Sequence, residues 1–138
     1  AQEQAVIYVL DACAMIAFLK GEAGADVVEN ALLEKGSRCV AHAINLCEVY
    51  YDFHRAGGQQ SADDAIIDIR TLGLGERDDL DEPFWKNVGQ LKAQEKISLA
   101  DCFAVALTNR VGGTLLSSDH HELDAISSAG ICSVTFIR

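Results

Sequence analysis

The chain has 138 residues, and its 21 Asp and Glu against 11 Lys and Arg give a formal charge of −10 with histidine neutral. At 49% hydrophobic and 23% charged, with a single proline, the composition is that of a packed domain and excludes a disordered tail or a collagen-like repeat. The length predicts one domain over residues 1–138. The apolar run 5–10 falls far short of the roughly 18 residues a membrane-spanning helix needs, and no basic segment precedes it as in a signal peptide, so a cytoplasmic protein without membrane contact is expected.

Residues 1–4 are assigned no structural role. Val6-Ile7-Tyr8-Val9-Leu10 is a continuous β-branched and aromatic run, the pattern of a strand covered on both faces, which implies a parallel sheet between helices. Asp11 ends the run, and the almost wholly apolar segment 12–20 reads as a helix stopped by Gly21. Asp11 therefore sits at a strand-to-helix junction, where open α/β sheets bind ligands. A helix over 24–33 carries Ala25, Val28 and Leu32 on one stripe, and Lys35-Gly36-Ser37 turns the chain into a strand over 38–41.

A helix from about His42 to Arg55 follows, with Ala43, Cys47, Tyr50 and His54 as its expected apolar stripe and Asn45, Glu48, Asp52 and Arg55 as a polar row. Across Gly57-Gly58 a further helix, 59–72, aligns Ala62, Ala65, Ile66 and Ile69. Residues 73–83 read as a polar, acidic loop, with Pro83 in the first turn of a helix carrying Phe84, Trp85, Val88 and Leu91. A buried helix over 99–111 stops at Gly112-Gly113, Leu115-Leu116 reads as a buried strand, 119–127 as a short helix and 131–137 as the last strand. Strands alternating with helices specify an α/β fold in three layers, with a central parallel sheet of four to five strands flanked by helices. The five cysteines, Cys13, Cys39, Cys47, Cys102 and Cys132, are scattered without a Cys-x-x-Cys pair and read as reduced core thiols.

Four carboxylates occupy positions that ordinary surface acids do not. Asp11 and Asp119 follow strands, Asp101 opens a helix that is apolar around its circumference, and Glu48 lies beside a buried stripe. Each has a local explanation: Asp11 and Asp119 as helix caps, Asp119 with Glu122 as a capping box, Ser98 and Asp101 as another, and Glu48 as part of a solvated face. Taken together they are less easily explained. Carboxylates held close repel one another unless cations neutralise them, and hard oxygen ligands without a Cys/His set suit Mg²⁺ or Mn²⁺ rather than zinc.

The segments YVLDACAMIAFL, NLCEVYYDF, ISLADCFAVAL and LLSSDHHEL resemble, in order and spacing over nearly the whole chain, the motif blocks of PIN-domain ribonucleases, most closely the VapC-like toxins of type II VapBC toxin–antitoxin pairs. The resemblance implies that Asp11, Glu48, Asp101 and Asp119 form a catalytic metal site for one or two Mg²⁺ or Mn²⁺ ions. Supporting positions are Ser117, Asn45 and Cys13, the last where a serine or threonine is common in the family. It further implies hydrolysis of RNA leaving a 5′-phosphate and a 3′-hydroxyl, a homodimer, and a VapB-like antitoxin seated in an apolar groove, with an arginine inserted among the acids.

A net charge of −10 is unusual for a nucleic-acid binder, so the basic residues would have to cluster locally. Lys20, Arg77, Lys92 and Lys96 are the candidates for RNA phosphates. His120 and His121 are adjacent and point about 100° apart on a helix, which suits surface positions better than one shared ion. Tyr50, Tyr51, Phe84 and Trp85 read as core or interface aromatics that also have the chemistry to stack bases. A phosphoaspartyl phosphatase is disfavoured because Cys13 stands where a second aspartate is needed, and a receiver domain because no lysine follows Leu116. The alternative that stays open is a non-catalytic PIN-like adaptor.

Overall fold

The apolar run that opens the sequence becomes the middle strand of a five-stranded sheet. A computed structural model describes residues 5–138, with the elements β1 (Val6–Leu10), α1 (Ala12–Lys20), α2 (Ala25–Leu33), β2 (Ser37–His42), α3 (Ala43–Gly57), α4 (Gln59–Thr71), β3 (Gly75–Arg77), α5 (Glu82–Gln94), α6 (Leu99–Val111), β4 (Thr114–Ser117), α7 (His120–Ser128) and β5 (Val134–Phe136). The strand order is β3-β2-β1-β4-β5 and every pairing is parallel, with Val9 opposite Val40 on one side and Leu115 on the other. The α/β reading of the sequence holds, at the upper of its two strand numbers.

Both faces of the sheet are covered, and the strand period of two sorts neighbouring residues between them. Val9, Val40 and Leu115 join a core with Phe84, Val88, Leu91, α6, Leu123 and Ile126. Their neighbours Leu10, Ala41 and Leu116 join the other core, with α1, Val28, Val49 and Ile69. The two glycines after α6 do different work. Gly112 takes a left-handed φ of 67° as the helix cap, while a Cβ on Gly113 would meet the Ile7 carbonyl oxygen at 2.6 Å, so only glycine lets the chain enter β4 against β1.

Three local expectations are corrected. The loop over 73–83 contains β3, a three-residue edge strand of Gly-Glu-Arg behind the buried Leu74; short and charged, it has the form in which sheet edges are protected and lacks an apolar run to betray it. On α3 the buried residues are Asn45, Leu46 and Val49, whereas Ala43, Cys47 and His54 are exposed, because the helix packs on the sheet and α6 with a face between the two expected rows. Among the cysteines, Cys39, Cys102 and Cys132 are buried, but Cys13 is half-buried and Cys47 exposed; all five are free.

The order of crossovers places the site. The chain lays β2 and β3 on one side of β1, then returns through α6 to set β4 on the other, so a crevice opens beyond the carboxyl ends of β1 and β4.

Candidate active site

Asp11 is the first residue beyond β1 and caps α1: its Oδ1 accepts the Ala14 N–H at 2.8 Å. The other oxygen, Oδ2, is buried and accepts no hydrogen bond among the described residues. Burial pushes this carboxyl up to about 7, with the charges of Asp101 and Asp119 adding and its polar neighbours Ser117 and Ala14 opposing.

The other acids arrive from three different helices. Asp101 stands in the first turn of α6, where its N–H donates to the cap Ser98 Oγ at 3.2 Å. Burial, then the nearby Asp119, Glu122 and Glu48, push its carboxyl up to about 6 against the opposing pull of Ser98. Asp119 caps α7, its Oδ1 accepting the Glu122 N–H at 3.1 Å, and its own N–H donates at 3.0 Å to Oγ of the fully buried Ser117 that ends β4. Glu48 is half-buried on α3, and its carboxyl is raised by burial and partly relieved by Asn45. Asn45 is buried one turn earlier and donates from Nδ2 to the Ala100 carbonyl at 3.3 Å, tying α3 to the start of α6.

Glu48, Asp101 and Asp119 therefore line one cleft of about 180 Å³, with Cys13, Tyr51 and Glu122, while Asp11 is buried behind its wall, next in the chain to the lining residues Ala12 and Cys13. One oxygen from each of Asp101, Asp119 and Glu122 lies within 4.8 Å of the others, a spacing that can hold a metal ion. Among the described residues none of these five acids pairs with Lys or Arg. Carboxylates without a basic partner, of which Asp11, Glu48 and Asp101 are raised by burial, are what a hard divalent cation would neutralise, so the donor set fits such an ion.

With this geometry in hand, the comparisons decide the family. Residues 8–128 match the PIN domain. The chain belongs to the PIN-domain family. Its fold is similar to that of VapBC2 from Rickettsia felis bound to a promoter DNA fragment (TM-score 0.74, 15% identity, covering 95% of this chain and 98% of the other) and of DNA-bound VapBC from Salmonella typhimurium (TM-score 0.74, 13% identity, 96% and 99%). It is also similar to a sarcin–ricin-loop-cleaving VapC toxin of Mycobacterium tuberculosis (TM-score 0.69, 13% identity, 86% and 94%). No curated protein sequence matches the chain.

In this PIN domain the fifth acid, Glu122, is the residue that sequence reasoning missed. The capping-box pattern keeps its side chain on its own helix. Instead its Oε2 accepts the Ser98 N–H at 3.0 Å, capping α6 from α7. The available signal was its place one turn after Asp119, on the same face. Cys13 occupies the cleft wall with its thiol pushed up to about 12, by burial and then by Asp11, Asp119, Asp101 and Glu48; it is a protonated neighbour of the acids and not a thiolate.

The four candidate phosphate contacts are dispersed, and none lines the cleft. Lys20 pairs at 3.0 Å with Asp52, a residue of the cleft wall, and lies over the Phe53 ring. Arg77 is held by both oxygens of Asp79, and Lys92 donates at 2.9 Å to the Ile97 carbonyl between α5 and α6, so both serve the fold; Lys96 is exposed. His120 stacks on Phe136 at 4.0 Å and binds Asp124 and the Arg138 carbonyl, and His121 is exposed, so neither joins the acids. Of the aromatics Phe84 is core, Tyr50 is partly buried and bonded to Asp63, and Tyr51 and Trp85 are exposed. Among the described residues no helix is long and apolar enough to cross a membrane.

Proposed function

We propose that this PIN domain is a Mg²⁺- or Mn²⁺-dependent endoribonuclease and the toxin component of a toxin–antitoxin pair. The observation that carries the reading is the cleft itself: Glu48, Asp101, Asp119 and Glu122 line it without a basic partner among the described residues, three of them with oxygens within 4.8 Å of one another, and the neighbouring Asp11 keeps a buried oxygen that accepts no hydrogen bond. Bound as one ion or two, the metal would supply hydroxide from water near neutral pH and neutralise charge at the scissile phosphate. Asp11, Glu48, Asp101 and Asp119 are the ligands in this reading, with Glu122 beside them.

The chain's own contribution is rigidity and polarity. The Asp11 and Asp119 carboxylates each accept a helix N–H, and the backbone of Asp101 is capped by Ser98, whose own N–H is held by Glu122. Ser117 sets the turn before Asp119, and Asn45 sets Glu48 against α6. The carboxylates of Asp11, Asp119 and Glu122 are thereby oriented by the N–H groups they accept, and in this reading Glu48 or Asp119 takes a proton through a water. Cleavage leaves a 5′-phosphate and a 3′-hydroxyl. The VapBC complexes that share the fold support a VapB-like antitoxin as partner; a second copy of this chain and a cytoplasmic location belong to the same proposal.

Labelled RNA and matched DNA incubated with the protein in Mg²⁺, Mn²⁺ or EDTA test this reading beside Asp101→Asn. The expected result is metal-dependent cleavage of RNA only, lowered more than about 100-fold in the variant, since losing even the hydrogen-bond partner of a metal ligand costs about 10- to 100-fold. Identical behaviour of both proteins over several RNA pools, with a metal still raising the melting temperature of the wild type alone, would instead identify a non-catalytic adaptor.

A further inference from the structure

The walls of the cleft are acidic, but its rim carries an aromatic ring that the fold leaves uncovered. Tyr51 follows Glu48 by three residues on α3, about one helical turn or 5 Å along the axis, and is 53% exposed while lining the same cleft. Its neighbour Tyr50 faces elsewhere, bonded to Asp63 in the groove between α3 and α4. One turn beyond, Arg55 sets its guanidinium 5.3 Å from the Tyr51 ring centroid and 3.5 Å from Asp52. Asp52 is also the partner of Lys20, so two cations share one carboxylate, and this corner keeps a positive charge beside an otherwise negative cleft.

A half-exposed tyrosine next to a catalytic-type acid adds little to the core, whereas a ring with a cation over it is a platform for a nucleobase. We propose that Tyr51 and Arg55 form a nucleobase shelf at the mouth of the cleft, taking an unpaired base of single-stranded RNA against the Tyr51 ring while Arg55 meets the adjoining phosphate. The inference rests on the ribonuclease reading and names the form of RNA it takes. In a duplex the base faces are occupied by their neighbours in the stack, so the shelf selects unpaired segments such as loops. It also reconciles RNA binding with a charge of −10, because stacking supplies affinity that phosphate contacts alone would not.

The test is fluorescence anisotropy with a fluorescein-labelled unstructured RNA of about 12 nucleotides, the same strand with abasic sites, and its duplex, in Ca²⁺ buffer. Tyr51→Ala is expected to weaken single-strand binding roughly tenfold or more, and Tyr51→Phe to keep it within about threefold. The abasic strand should bind both wild type and Tyr51→Ala equally weakly, and the duplex likewise. An unchanged rise in melting temperature with Mn²⁺ shows that the acids of Tyr51→Ala are intact. Equal binding of the single strand by wild type and Tyr51→Ala overturns the shelf and leaves metal-dependent cleavage to its own test. Loss of self-association in Tyr51→Ala with RNA binding unchanged also overturns it, assigning the ring to a protein interface. Tyr51-dependent binding without any cleavage would keep the shelf and remove the nuclease.

Discussion

Two clusters of aspartates lie toward the carboxyl edge of the same sheet, and the fold treats them in opposite ways. Beyond β3, Asp79 takes Arg77 through both oxygens at 2.9 Å and shares Arg110 with Asp81. Arg77, then Arg110, hold the Asp79 carboxyl well below the usual range, and Arg110 draws Asp81 down to about 2. Beyond β1 and β4, Asp11 and Asp101 have no guanidinium and are pushed up by burial instead, to about 7 and about 6. The first cluster is complete: Arg110 lies over Phe84, and the backbone carbonyl of Asp79 meets Nε2 of the buried His42 at 3.0 Å. The second has no counter-charge of its own among the described residues, so its carboxylates are neutralised by protons or by a cation. Acid count does not distinguish a structural cluster from a ligand site; the presence or absence of a built-in counter-charge does.

Substitutions should therefore change sign between the clusters. Asp79→Ala is expected to destabilise the fold by about 2–3 kcal/mol, because its carboxylate is 9% exposed and its loss leaves Arg77 without its partner and Arg110 with Asp81 alone. Asp11→Asn keeps the oxygen that caps α1 and removes the buried charge, so in EDTA at pH 8 it should stabilise by roughly 1–3 kcal/mol while abolishing any metal response. Urea unfolding of the two variants measures both. A loss of stability in Asp11→Asn would break the contrast. Asn45→Ala should cost about 1–2 kcal/mol through the lost bond to Ala100 and should weaken Mn²⁺ binding by freeing Glu48 from its place, which calorimetric titration reads.

Some of this site was legible in the sequence because single residues carried two signals at once. Asp11 ends a strand and begins a helix, and Asp101 is a charge in a helix with no polar face, so each could be placed without knowing the sheet order. Asn45 and Glu48 were visible as a row, but the side on which the row falls was not. Helix α3 packs against α4 as well as α1, α6 and β2, so its sequence shows two partial stripes, and the residues at Ala43 and Cys47 that read as core face outward. Glu122 and β3 were illegible for a shared reason. The bond from Glu122 to Ser98 spans 24 residues, and β3 exists only because β2 offers it an edge; neither leaves a trace in local periodicity. Arg77 and Lys92 show the converse, since cations free on paper turn out to be held by partners in the fold.

The measurement that bears most directly on the cluster of Asp11 and Asp101 is thermal unfolding of the wild type at pH 5 and pH 8, in EDTA and in Mn²⁺. Asp11 and Asp101 have folded-state values raised above 3.8, so the stability they contribute is full below about pH 4 and is lost as the pH rises through about 6 and 7. In EDTA the melting temperature should fall between pH 5 and pH 8. Mn²⁺ at a hundredfold excess over its Kd should restore on the order of 5–10 °C at pH 8, and much less at pH 5, where protons compete for the same oxygens. A melting temperature indifferent to Mn²⁺ at pH 8 would contradict the account, for the carboxylates would then be satisfied without a cation.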